Sequence, residues 1–226
     1  MHRKLKRIGD YQKTLPVLEL YTAVQSEGSR QGYPTIVIRT TGCTHRCYFG
    51  EGGWCDSWYT SIHPEKGTYK FQDIIDMYND HPHIKEMMLT GGSPTMHPAL
   101  VNELTHFAHE NNIFITIETE GSHFLPTDYP INLLSISPKF SNSIPVVGAT
   151  TPQGEIVDER MVKKHNSKRC NIDAIKQSIE YHSDYHIKPV IDKELSMVPE
   201  VDELIKELNV PAEKIWAMPA GDDRES

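Results

Sequence analysis

The sequence predicts an α/β protein: a single domain over residues 1–226 built as a partial, open β/α barrel. Three observations predict it. Short apolar segments alternate with amphipathic segments of helical spacing, which is the pattern of a parallel sheet with helices outside it. About six strands can be counted, too few to close an eight-stranded barrel. Polar and glycine-rich segments follow four consecutive strands, and such folds bind ligands at the carboxyl ends of their strands.

In chain order, Thr35 to Arg39 (TIVIR) reads as a strand and Phe71 to Tyr78 (FQDIIDMY) has helical spacing. Lys85 to Thr90 (KEMMLT) reads as a strand ending in Gly91-Gly92, Pro98 to Glu110 as a helix, and Ile113 to Glu118 (IFITIE) and Leu133 to Ser137 (LLSIS) as strands. Asn171 to Tyr181 reads as a helix, Tyr185 to Val190 (YHIKPV) as a strand and Pro199 to Leu208 as a helix with proline and acids in its first turn. Lys214 to Met218 (KIWAM) closes the series. The four rim segments are Thr40 to Cys43, Thr90 to Pro94, Glu118 to Gly121 and Ser137 to Lys139.

Composition narrows the class. Hydrophobic residues make up 38% and charged residues 24%, the balance of a soluble globular protein. No apolar run approaches the roughly 20 residues of a membrane span. The first twelve residues are basic but lack the apolar stretch of a secretory signal, so a cytoplasmic location is expected and no membrane partner. A net charge of −8 argues against a nucleic-acid partner. Two basic stretches, Arg3 to Arg7 and Lys163 to Arg169, read as solvated surface.

Three of the four cysteines, Cys43, Cys47 and Cys55, fall within thirteen residues, and Cys170 lies far along the chain in a basic, exposed-looking stretch. A disulfide framework suits a short secreted chain, which this is not. Clustered thiolates are soft ligands for an iron–sulfur cluster or for zinc. A structural zinc site wants four protein ligands. Three thiolates on a four-iron cluster leave one iron open to another ligand.

The segment Cys43-x3-Cys47, returning through Trp54-Cys55, resembles the cysteine loop of the radical S-adenosylmethionine (SAM) superfamily, with a second gap five residues longer; Phe49 to Gly53 (FGEGG) is the insertion. Within that superfamily the chain is most similar to the 7-carboxy-7-deazaguanine synthase family. The residues that carry this likeness are Tyr21-Thr-Ala-Val24-Gln25-Ser26-Glu27-Gly28, Gly32-x-Pro34, Ile38-Arg39, Thr90-Gly91-Gly92, Ile117-Glu118-Thr119 and Ser137-Pro138-Lys139. Lys188-Pro189-Val190 and Met218-Pro219-Ala220-Gly221 match more loosely.

The resemblance implies a function and a set of roles. The reaction is the ring contraction of 6-carboxy-5,6,7,8-tetrahydropterin to 7-carboxy-7-deazaguanine with loss of ammonia, in queuosine and 7-deazaguanine biosynthesis. It implies a [4Fe-4S] cluster on Cys43, Cys47 and Cys55. It implies SAM bound by Trp54, Asp56, Gly91, Gly92, Ser93, Glu118, Ser137, Pro138 and Lys139, and cut to a 5′-deoxyadenosyl radical. Ser93 stands where the family often has Glu. For Trp54, stacking on adenine and anchoring of the loop both fit. Val24, Gln25, Ser26 and Thr90 are implied substrate contacts, with Arg39 as the bidentate partner of the substrate carboxylate. Ser57 stands where the family has Thr and is the implied magnesium (Mg2+) ligand. An external electron donor such as flavodoxin and a homodimer are implied as well. The family continues past Met218-Pro219 with another helix and strand; either the protein is shortened there or those residues lie beyond Ser226. Two other functions fit parts of the pattern, a radical SAM activase of a glycyl-radical enzyme and a non-catalytic metal-binding regulatory module.

Overall fold

The computed structural model describes residues 11–50, 53–61 and 63–220. The basic stretch at 3–7, two residues of the cysteine-loop insertion (51 and 52) and the terminus from 221 lie outside the described residues. A six-stranded open sheet runs in sequence order: β1 (Val17–Val24), β2 (Pro34–Thr40), β3 (Glu86–Gly91), β4 (Phe114–Thr119), β5 (Leu133–Ile136) and β6 (Tyr185–Ile187). Strands β2 to β6 are parallel, as expected; β1 pairs antiparallel with β2, Leu20 opposite Ile38, a strand the sequence reading left unassigned.

Six helices accompany the sheet: α1 (Trp58–Ser61), α2 (Phe71–Asp80), α3 (Pro98–Asn111), α4 (Glu159–Asn166), α5 (Ile172–Tyr181) and α6 (Val198–Leu208). Their ends follow local chemistry. The Lys70 backbone N–H donates to Asp73 Oδ2 at 2.7 Å, closing the first turn of α2. Asn171, read as helical, instead caps α5 by accepting from the Ala174 N–H at 3.2 Å. Helices α3 and α6 end on Asn112 and Asn209, both left-handed, a conformation asparagine tolerates.

Two expectations need correction. The strand expected over 185–190 breaks at Pro189, which has no N–H for a ladder. Val190–Ile191 (β7) pairs instead with Met218–Pro219 (β8) in a small parallel sheet. The segment 214–218 does run beside β6, with Ile215 bridging Ile187, but only its end is strand. The basic stretch at 163–169 is not merely solvated surface: it forms the last turns of α4 and buries His165.

Alternation along the strands gives the sheet two unlike faces. Ile36, Ile38, Met87, Leu89, Ile115, Ile117, Leu134, Ile136 and Ile187 pack in one core with Phe71, Ile74, Leu104 and Phe107 of the helices. Each such side chain contributes about 1.5–3 kcal/mol by burial. The intervening positions, Arg39, Thr90, Glu118, Ser135, His186 and, just past β6, Lys188, therefore share the opposite face. That face is polar and ends at the rim formed by the loops after β2 to β5. Among the described residues no helix is long and apolar enough to cross a membrane.

Candidate active site

The cysteine loop leaves β2 and is seated at once against the end of β3. The Ser93 N–H donates to Gly42 O at 2.8 Å and the Thr40 hydroxyl to Thr90 O at 3.2 Å. A Cβ on Gly91 would lie 2.3 Å from Thr40 O, and one on Gly92 would lie 2.1 Å from Gly42 O and 3.0 Å from Cys43 Cβ. Both positions thus exclude side chains to admit the chain's own backbone.

The rest of the loop is tied down residue by residue. The Arg46 N–H donates to His165 Nδ1 at 3.2 Å, and the Arg46 side chain donates back to Cys43 O and His45 O. The His45 ring meets the His165 ring edge-on, centroids 5.0 Å apart. Cys55 returns beside Cys47, its N–H donating to Cys47 O at 3.1 Å. Trp54 serves as a loop anchor: its ring lies on Tyr48, centroids 5.1 Å apart, and its N–H donates to Thr150 O at 3.1 Å.

Burial pushes the Cys43 thiol up to about 12, with the Glu120 carboxylate adding to it. Burial raises Cys47 well above the usual thiol range and raises Cys55 as well. The positive charge of Lys139 opposes the shift at all three thiols. Among the described residues no group of three His, Cys, Asp or Glu side chains is placed to hold a single metal ion. Three thiols carried on one loop are soft donors of the kind an iron–sulfur cluster takes. His45 Nε2 is buried with no partner among the described residues, a polar atom available to such a group. The donor set fits an iron–sulfur cluster, and loading it must displace thiol protons. Cys170 is half-buried against the core rather than exposed, and its charged neighbours are Arg169, Glu200 and Glu207.

The other residues of the sequence reading fall into three groups. Thr90 and Glu118 meet on the polar face, the Thr90 hydroxyl donating to Glu118 Oε2 at 2.7 Å. Lys188 donates to Glu118 Oε1 at 2.7 Å. Burial works against ionisation of Glu118, but the charge and hydrogen bond of Lys188, the Thr90 hydrogen bond and the Arg39 charge together hold the carboxyl below its ordinary value. On the rim, Lys139 donates to the Ser137 hydroxyl at 2.8 Å, Pro138 is buried between them, and buried Ser93 meets Thr95 at 3.0 Å.

Arg39 sits at the end of β2 with its Nε on Glu19 at 2.6 Å; its terminal nitrogens reach the Ser57 and Tyr21 hydroxyls, each at 3.3 Å. Ser57 in turn donates to Asp56 at 3.1 Å. The Gln25 amide is buried on Glu86 at 3.3 Å, while Val24 and Ser26 are exposed.

Sequence reading missed four contributors. Glu120, buried behind the cysteine loop, accepts from Thr44 at 3.3 Å; its two-residue spacing from Glu118 was a usable signal. Lys188 and Glu27 stood in quoted phrases without a role. Nothing local marks His165, which meets the loop from 119 residues away.

No protein-family model matches the chain. The chain is 32% identical over 213 residues to 7-carboxy-7-deazaguanine synthase of Halobacterium salinarum, covering 92% of this chain and 77% of that protein. It is 30% identical over 210 residues to the synthase of the same name from Rhodopirellula baltica, covering 93% and 75%. Its fold is similar to the crystal structure of QueE from Escherichia coli, with a TM-score of 0.57 and 19% identity over 93% of this chain and 85% of that one.

Replacing Cys43, Cys47 or Cys55 by Ser should each abolish iron and sulfide binding after anaerobic reconstitution, while Cys170→Ser keeps the full complement. Iron and sulfide assays with the visible absorption spectrum decide this, and wild-type iron in Cys55→Ser would remove that residue from the ligand set.

Proposed function

We propose how this site works from one premise: the chain belongs to the 7-carboxy-7-deazaguanine synthase family. It is a radical SAM carbon–nitrogen lyase that contracts the ring of 6-carboxy-5,6,7,8-tetrahydropterin to 7-carboxy-7-deazaguanine, and the family membership sets aside the activase and the metal-binding module. The observation that carries the site reading is one loop bearing three cysteines at the rim of a polar sheet face, with Cys55 returned beside Cys47 by a backbone hydrogen bond of 3.1 Å.

Cys43, Cys47 and Cys55 would hold the cluster, and the rim segments at 91–93 and 137–139 with Glu118 would receive SAM; bound there, the two groups would supply the radical chemistry. The protein's task is to hold the substrate close and to exclude water. Arg39 is prepared for the substrate carboxylate: Glu19 fixes its Nε, and the two hydroxyls at 3.3 Å are weaker partners that a carboxylate replaces with a bidentate pair. Thr90 lies beside it on β3, opposite Arg39 in register.

Ser57 would offer its hydroxyl to magnesium, a hard ion that takes oxygen ligands. That oxygen accepts from Arg39 at 3.3 Å, a weak contact that a carboxylate bound to Arg39 would free. An external donor such as flavodoxin supplies the electron. A cationic groove of about 710 Å³ between Arg46 of the cysteine loop and Arg160, Lys163 and Lys164 of α4 suits an acidic carrier. A cytoplasmic location suits thiols that must stay reduced. A homodimer is in keeping with exposed Tyr21, Val24 and Tyr33 along the outer edge of the sheet, and sedimentation velocity measures it directly.

Reconstituted protein given SAM, carboxytetrahydropterin and reduced flavodoxin should form 7-carboxy-7-deazaguanine, read by mass spectrometry. Uncoupled SAM cleavage without product would contradict the synthase reading. Product with dithionite but none with flavodoxin would remove only the donor. Added magnesium should raise turnover in the wild type, and Ser57→Ala should blunt that response at unchanged iron content; superimposable metal curves would leave Ser57 as a loop residue.

A further inference from the structure

Lys188 is 8% exposed, a degree of burial that lysine reaches only when its charge is matched. Its Nζ donates to Glu118 Oε1 at 2.7 Å and to Glu27 Oε2 at 2.5 Å. The Thr90 hydroxyl occupies the other oxygen of Glu118. The backbone fixes the lysine from both sides: its own N–H donates to Ile136 O at 2.6 Å, and the next carbonyl, that of Pro189, accepts from Met218 at 2.9 Å. Carboxylates from two distant chain segments thus meet on one ammonium on the polar face, just past β6.

We propose that Lys188 is a positioning residue for the reaction, tying Glu27 on the substrate-binding segment after β1 to Glu118 on the SAM-binding rim, so that the two half-sites keep one fixed relation. The inference rests on the reading of the site given above. Stability alone is a poor reason for the arrangement, because a buried ion pair is commonly matched or bettered by apolar packing of the same volume. Two carboxylates on one ammonium, placed where the substrate and SAM must meet, instead fix geometry.

The electrostatics agree with it. Burial disfavours the charged lysine, but Glu118 and then Glu27 more than compensate and raise it above its ordinary value. The groups that bear on Glu118 are Lys188, Glu27, Arg39 from β2, Thr90 from β3 and His186 from β6. His186 contributes no charge at neutral pH, because burial and then Lys188 lower it to about 4. Lys188 is therefore the cation that contributes most to keeping Glu118 ionised, with Arg39 adding to it. Without it, burial raises the Glu118 carboxyl, and SAM binding becomes dependent on pH in a range where the wild type is flat. The sign is fixed: affinity is lost as pH falls and recovers as pH rises.

The test uses the reconstituted holoenzyme and its Lys188→Met, Lys188→Arg and Glu27→Gln variants. SAM affinity is measured by equilibrium dialysis across pH, and KM for carboxytetrahydropterin by turnover. In Lys188→Met both should worsen, and SAM affinity should change by about tenfold per pH unit along its acid limb. Lys188→Arg should restore most of the affinity and flatten the profile. Glu27→Gln should raise KM for the pterin and leave SAM affinity unchanged, because Lys188 still holds Glu118. Wild-type SAM affinity in Lys188→Met would overturn the proposal, as would a loss that is independent of pH and equal in Lys188→Arg. If Lys188→Met fails to fold, an unchanged KM in Glu27→Gln overturns it and a raised KM supports it. Absence of product from the wild type alongside the expected SAM-binding profiles would count against the synthase reading and not against the clamp.

Discussion

The close approach of the end of β3 to the backbone leaving β2 is the constraint on which the site depends. Gly91 and Gly92 put no atoms where Thr40 O and Gly42 O already lie, and hydrogen bonds across the gap hold the two chains together. Cys43 begins the cysteine loop at the point where that contact fixes it. The loop's later course is then set by pairs distant in sequence: Arg46 with His165, Tyr48 with Ser143, Trp54 with Thr150. A side chain at Gly92 would meet backbone rather than a flexible group, so the first cysteine would have to shift with it.

The second organising feature is the division of the sheet into an apolar and a polar face. The apolar face supplies the core, with Phe71 and Phe107 in edge contact at 5.4 Å between centroids. The polar face carries charges that burial would neutralise were they not paired: Glu118 with Lys188, Arg39 with Glu19. The thiols stand in a different condition. Burial keeps them protonated, Lys139 and the backbone N–H groups of His45 and Ser57 only partly oppose it, and a metal group must supply the rest of the driving force. Arg39, Ser57 and Asp56 form a chain of partners that a carboxylate-bearing ligand can rearrange, which links substrate binding to the state of Ser57.

Much of this was legible in the sequence, for identifiable reasons. The parallel strands β2 to β5 read correctly because each is a short apolar run bounded by turn residues, and the rim segments followed from them. Strand β1 went unassigned because its residues are mostly half-exposed and do not alternate cleanly, as befits an edge. Helix α4 was hidden by its charge: Lys163 to Arg169 reads as solvated surface, yet His165 turns inward. Side-chain partners were the least legible. Gln25 is taken by Glu86, 61 residues away, and Trp54 by Thr150, 96 residues away, and no local pattern encodes such pairs. For the glycine pair the structure adds a constraint no local pattern encodes, the approach of the protein's own backbone.

The most direct test of the close approach is the iron content of Gly92→Ala after anaerobic reconstitution, measured beside its far-UV circular dichroism. The structure predicts a folded protein with a wild-type spectrum that binds a small fraction of the wild-type iron, because the new Cβ displaces Gly42 and Cys43. A folded variant with the wild-type iron and sulfide complement would contradict it.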